Sequence, residues 1–254
     1  MELPRAERGG IVDRAFGSSR FLPLAREVLQ LLRPRRKAMD VLDNRLMAQV
    51  MAYTLASDSN CVDVGAFQGD ALRHFFDFAP SGRHYAFEPI PELAAGLRGK
   101  YPSAEVWQVA LSETGGEATF YHVVTNSGYS GLRKRTYDRP GERIEPITVR
   151  TERLDDILAP DLPIDFVKVD VEGAELQVFR GAARTLKTYR PTVVFEHELG
   201  GASHYGTTPQ MVYDYLVRGC GLRIFQLDGE GPMAESEFAS VFERGSALNF
   251  LAHR

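Results

Sequence analysis

The sequence predicts an α/β domain built on a doubly wound, mostly parallel sheet, preceded by an N-terminal helical extension. Two observations predict it. From residue 60 onward, short apolar runs of strand length alternate with segments of helical spacing, and strands separated by helices pair in parallel. Several of these runs end in a glycine or an acidic residue, the place where such sheets present their ligands.

Taken in order, residues 21–34 and 39–56 have helical spacing through Leu22, Leu29 and Leu32, then Val41, Leu42, Leu46, Val50 and Leu55. Residues 60–65 (NCVDVG) read as a buried strand and 70–78 as a helix. Residues 83–88 (RHYAFE) read as a second strand, and Pro91 opens a second helix, where the missing N–H of proline costs nothing. Residues 104–111 read as a third strand. Residues 117–124 and 146–151 alternate in polarity and are expected to pair antiparallel. A fourth core strand covers 164–170, followed by one helix over 173–186. A fifth strand covers 191–196, and a helix at 209–218 with strands at 221–227 and 247–252 closes the chain.

The length of 254 residues suits one domain, placed at 57–254, with residues 1–56 as the extension. Hydrophobic residues make up 44% and charged residues 25%, enough apolar material for a sizeable core. The net charge of −4 argues against a nucleic-acid binder. Charge is uneven, since residues 1–37 carry a net +5 with a cluster at Arg33, Arg35, Arg36 and Lys37. The cluster reads as a solvated linker or as a patch that faces an anionic membrane, in peripheral contact, or a phosphorylated carrier. Two cysteines, Cys61 and Cys220, make no disulfide framework. No apolar window has signal-peptide or transmembrane character, so a cytoplasmic protein is expected.

Four strand ends could carry chemistry. The first runs Asp63-Val64-Gly65-Ala66-Phe67-Gln68-Gly69. Its glycines permit a tight turn and close approach. They do not form the G-x-G-x-x-G dinucleotide pattern, and the preceding acid suits a cationic ligand. That absence argues against a nicotinamide oxidoreductase. The second strand ends at Glu88, where a carboxylate can accept two ribose hydroxyls. The fourth and fifth strands end at Asp170 and at Glu196-His197-Glu198. Lys168 shares a strand face with Asp170 and needs a carboxylate partner such as Asp170 or Glu196. Asp170, Glu196 and His197 together could act as a general-base site or hold Mg or Mn. Residues 125–131 and 199–207 are Gly-rich, hydroxyl-bearing candidates for loops over an acceptor, with His204 as an alternative base.

These stretches resemble the FkbM-type methyltransferases. The resemblance is carried by DVGAFQGD at 63–70, AFEPIP at 86–91, ALSETGGEATFY at 110–121, DFVKVDVEGAELQVFRGA at 165–182, RPTVVFEHE at 190–198 and NFLA at 249–252. The family usually has Asn where Phe67 stands here. The resemblance implies a Rossmann-like class I methyltransferase fold and S-adenosylmethionine as cofactor. It also implies O-methylation of a small-molecule or glycoside acceptor, such as a sugar, glycolipid or other natural product. Cofactor contacts are carried onto Asp63, Gly65, Gly69 and Glu88, with Ala110, which opens its matching stretch, taken with them. A non-catalytic domain that kept the fold is the alternative, and binding of S-adenosylhomocysteine separates the two.

Overall fold

The computed structural model describes residues 39, 41–135 and 141–254. The expected helix at 21–34 and the basic cluster at 33–37 lie outside the described residues. Helix α1 covers residues 41–54. The alternating core follows: β1 (Cys61–Val64), α2 (Asp70–Phe78), β2 (His84–Phe87), α3 (Pro91–Lys100) and β3 (Glu105–Trp107). After the strands β4 (Ala110–Leu111), β5 (Gly116–Val123) and β6 (Ile144–Glu152) come the short α4 (Leu154–Ile157) and β7 (Phe166–Val169). The chain continues through α5 (Glu175–Gly181), α6 (Ala183–Tyr189), β8 (Thr192–Glu196), α7 (Leu199–Ala202) and α8 (Pro209–Tyr213). It ends with β9 (Arg223–Gln226), α9 (Glu235–Arg244) and β10 (Asn249–His253).

Seven strands form one sheet in the order β3-β2-β1-β7-β8-β10-β9, all parallel except β10, which runs antiparallel to both neighbours. A second sheet, β4-β6-β5, holds the expected antiparallel pair. The first sheet changes direction of growth between β1 and β7. That switch point opens a crevice beyond the carboxyl ends of those strands.

Strand alternation divides the core in two. Val62, Val64, Val167, Val169, Val193, Phe195 and Phe250 face one side, packed with Leu176, Phe179 and Phe238. Cys61, Phe166 and Val194 face the other, packed with Met47 and Met51 of α1 and with Leu72 and Phe75 of α2. Helix α1 is therefore docked on the sheet. Burying its two methionines removes about 1.5–3 kcal/mol of apolar exposure each. Among the described residues no helix is long and apolar enough to cross a membrane.

Three expectations are corrected. The stretch 104–111 is two strands in two sheets. It breaks where β2 ends, Trp107 O accepting from Glu88 N while Ala110 pairs with Thr151. The helix at 173–186 breaks at Ala182. There the Ser112 carbonyl crowds Gly181, and the Asp155 carboxylate accepts from the Arg184 and Thr185 N–H groups to start a new helix. Helix α9 was not expected between the last two strands.

Candidate active site

The crevice at the switch point is a cleft of about 120 Å³. Its walls are mostly apolar, from Phe87, Ile90, Val109, Leu111 and Phe120, and its carboxylates come from beyond the ends of β2 and β7. Glu88 lies at the end of β2, 4% exposed. Its two carboxylate oxygens accept from Phe67 N and Ile90 N, each at 2.9 Å. Burial, partly offset by those two donors, pushes its pKa up to about 7. Ala110, Gly65 and Asp170 also line the cleft, and Ser127, Gly128 and Ser130 from the 125–131 loop cover it.

Asp63 and Gly69 are placed otherwise than expected. Asp63 is fully buried and faces the Lys168 ammonium, Nζ to Oδ1 3.6 Å, instead of lining the cleft. Gly69 turns toward α3, where a Cβ would sit 2.7 Å from the Tyr101 ring. Gly65 adopts φ +73°, and a Cβ there would lie 1.8 Å from the Asp170 carbonyl oxygen. Its close approach is thus to the neighbouring strand end, and it lets β1 and β7 come together beneath the cleft.

Lys168 completes this base. Its ammonium lies 3.3 Å from Asp170 Oδ2 and donates to Gly65 O at 3.2 Å. Asp170 and Asp63 hold the lysine protonated against the cost of burial. The expected link to Asp170 is present. The second partner is Asp63, because β1 and β7 pair with Asp63 opposite Lys168.

The acidic cluster is Asp170, Glu172 and Glu196, each offering a carboxylate oxygen within 4.8 Å of the others. His197 is not part of it, and the expected set of Asp170, Glu196 and His197 for base or metal chemistry does not form. Adjacent residues on a strand point to opposite faces, so His197 lies on the far side of the sheet, 0% exposed. Its ring stacks on Phe242 at 4.5 Å and Phe238 at 5.9 Å. Burial alone lowers its pKa to about 4.

Sequence reasoning missed Glu172, Arg135 and Glu175. Arg135 bonds Glu172, lies 3.9 Å from Glu198 Oε1 and sits over the Tyr129 ring. It arrives from a loop that no motif marks. Burial pushes the pKa of Glu172 upward against the pull of Arg135, and burial with the neighbouring acids pushes Glu196 well up. Glu175 accepts from Gly173 N at 2.9 Å and closes the turn that carries Glu172. Glu172 itself has φ +60°, a conformation non-glycine residues rarely adopt. His204 is separate again. It lines a polar groove with Glu113, Gln177 and Arg133 on the side of the β5–β6 hairpin.

The arrangement offers an apolar cleft lined by the Glu88 carboxylate and by Asp170 and Glu172 of a carboxylate cluster in which Glu172 and Glu196 have raised proton affinity. Comparison with known proteins agrees with the motifs. Residues 63–224 match the model of the methyltransferase FkbM domain. The chain is 30% identical over 158 residues to the 2-O-methyltransferase NoeI of Sinorhizobium fredii, a match covering 56% of this chain and 65% of that protein. The chain thus spans less than two thirds of that relative's length. Its fold is similar to the crystal structure of methyltransferase FkbM from Methylobacillus flagellatus KT. That likeness has a TM-score of 0.50 and 15% identity, over 79% of this chain and 44% of the other.

Proposed function

Because the chain belongs to the FkbM methyltransferase domain family, we propose that it moves a methyl group from S-adenosylmethionine to a hydroxyl oxygen of a sugar, glycolipid or other natural product. The observation that carries this reading is Glu88. It is a buried carboxylate at a strand end, held by two backbone N–H groups and open to an apolar cleft. Such a group accepts the two hydroxyls of a ribose, and the apolar walls beside it suit a purine ring.

The residues present fit that donor. Glu88 would hold the ribose, Gly65 and Ala110 would line the bound molecule, and Asp170 would face its cationic end. When bound, the donor supplies an electrophilic methyl group. The chain's own task is to orient the acceptor oxygen in line with that carbon, exclude water and take the hydroxyl proton.

The proton acceptor in this reading is Asp170 or Glu196. Both belong to the cluster at the strand ends, and burial with the neighbouring acids raises the proton affinity of Glu196. His204 is a less favoured base, because it lines a different groove. A divalent-ion version would use Asp170, Glu172 and Glu196. The general-base version is preferred because Lys168 and Arg135 already neutralise two of these groups.

Calorimetric titration with S-adenosylhomocysteine tests the cofactor assignment. Glu88→Ala removes two charge-assisted acceptors, and each such bond contributes about 1.5–3 kcal/mol. Affinity is expected to fall at least roughly tenfold. Equal affinity in wild type and variant removes the assignment.

A further inference from the structure

On the α1 face of the sheet, behind Asp170, lies a second chamber of about 210 Å³. Its rim is polar, formed by Asp43 and Asn44 of α1, Lys168 and Asp170 of β7 and its end, Glu196 of β8 and Asn249 of β10. Its floor is aliphatic, from Met47, Val194 and Leu227. The sheet register explains the assembly. Lys168 is paired with Val194, and Asn249 with Glu196 two residues further along β8, so these side chains occupy two adjacent rows on the same face of three neighbouring strands. The Asn249 amide donates to Asp43 Oδ2 at 2.9 Å and ties α1 to the end of β10.

We propose that this chamber is the acceptor subsite and that it takes an uncharged, polyhydroxylated ring of glycoside type, with α1 and β10 determining which acceptor is used. The inference rests on the methyl-transfer reading above. Asp170 lines both the chamber and the donor cleft, so a hydroxyl held in the chamber reaches the place where the two meet. Carboxylates and amides around the rim accept from and donate to neighbouring hydroxyls. The aliphatic floor suits the C–H face of a sugar ring.

The same lining disfavours a phosphorylated acceptor. Three carboxylates, Asp43, Asp170 and Glu196, surround the space, and the Lys168 ammonium is already engaged by Asp63 and Asp170. Asp43 and Asn44 lie outside residues 63–224 that match the family, so the α1 side of the chamber is not part of the matched domain.

The test is saturation-transfer NMR on the full chain loaded with S-adenosylhomocysteine. Methyl glucoside, methyl mannoside and methyl fucoside serve as neutral probes, and glucose 6-phosphate as the anionic one. At least one neutral glycoside is expected to bind. Asn44→Leu and Asn249→Leu are each expected to weaken that binding at least tenfold while S-adenosylhomocysteine affinity stays within twofold. Asn44 is exposed on α1, so its variant keeps the test open should Asn249→Leu fail to fold. Glycoside binding unchanged in both variants, no binding of any neutral probe, or preference for glucose 6-phosphate overturns the proposal. Failure of the wild type to bind S-adenosylhomocysteine sinks the methyl-transfer reading itself, a separate and earlier result.

Discussion

Replacing His197 with phenylalanine separates structure from catalysis at the fifth strand end. The imidazole is fully buried, and neither ring nitrogen has a hydrogen-bond partner among the described residues. Its folded-state pKa of about 4 lies below the ordinary value of 6.5. The unfolded chain therefore binds a proton that the folded chain excludes. This penalty is absent above pH 6.5 and grows as pH falls from 6.5 toward 4. Fully developed, it is on the order of 3 kcal/mol, and at pH 5 about 2 kcal/mol. A phenyl ring keeps the stacks on Phe238 and Phe242 and cannot be protonated. At pH 7.5 the variant also removes an unpaired buried polar ring, worth about 1 kcal/mol, or roughly 2–4 °C in melting temperature. Thermal unfolding at pH 7.5 and pH 5 should show His197→Phe more stable at both, with the gap widening by about 2 kcal/mol at the lower pH. A gap that does not widen refutes the buried-neutral assignment. A folded variant that binds S-adenosylhomocysteine normally but has lost turnover would return His197 to the chemistry.

Four other outcomes follow from the same geometry. Asp170→Asn and Glu196→Gln should each lower methyl transfer by roughly 10²–10⁴-fold. Wild-type turnover should survive a chelator, and restoration only by added magnesium or manganese would favour the metal version. Phe67 sits at φ +46°, where a left-handed conformation costs about 1–2 kcal/mol. Phe67→Asn should therefore raise the urea midpoint, and a lower midpoint would show that the ring's contacts outweigh its strain. Gly173 has φ +107°, and a Cβ there would lie 2.4 Å from the Gly201 backbone. Gly173→Ala should cost roughly 2–5 kcal/mol and reduce turnover by moving Glu172, and near wild-type stability in denaturant would refute the contact.

The sheet was legible because each core strand is a short apolar run bounded by turn residues, and the strand ends fixed where Glu88 and Asp170 would stand. The errors have separate physical causes. His197 was grouped with Glu196 by adjacency in sequence, although neighbours along a strand must face opposite ways. Asp63 was read as a ligand contact because it precedes a glycine turn, whereas the register of β1 against β7 sets it opposite Lys168. Helix α9 did carry a signal, Phe238, Val241 and Phe242 at helical spacing before Gly245. Arg135 and Asn44 had none, since tertiary packing alone brings a loop and an outlying helix to the strand ends.

The charges at those strand ends follow a logic tied to the proposed reaction. Methyl transfer from a sulfonium to a hydroxyl consumes one positive charge on the donor and releases one proton. A site for it should be negative enough to hold the cation, yet contain a group able to accept the proton near neutral pH. Here five carboxylates, Asp63, Asp170, Glu172, Glu196 and Glu198, gather around Lys168 and Arg135. Lys168 is committed between Asp63 and Asp170, and Arg135 between Glu172 and Glu198. Glu196 forms no ion pair among the described residues, and burial with the like charges beside it raises its proton affinity. The excess carboxylate is thus the one beside Asn249 at the mouth of the second chamber, where an acceptor hydroxyl would have to give up its proton.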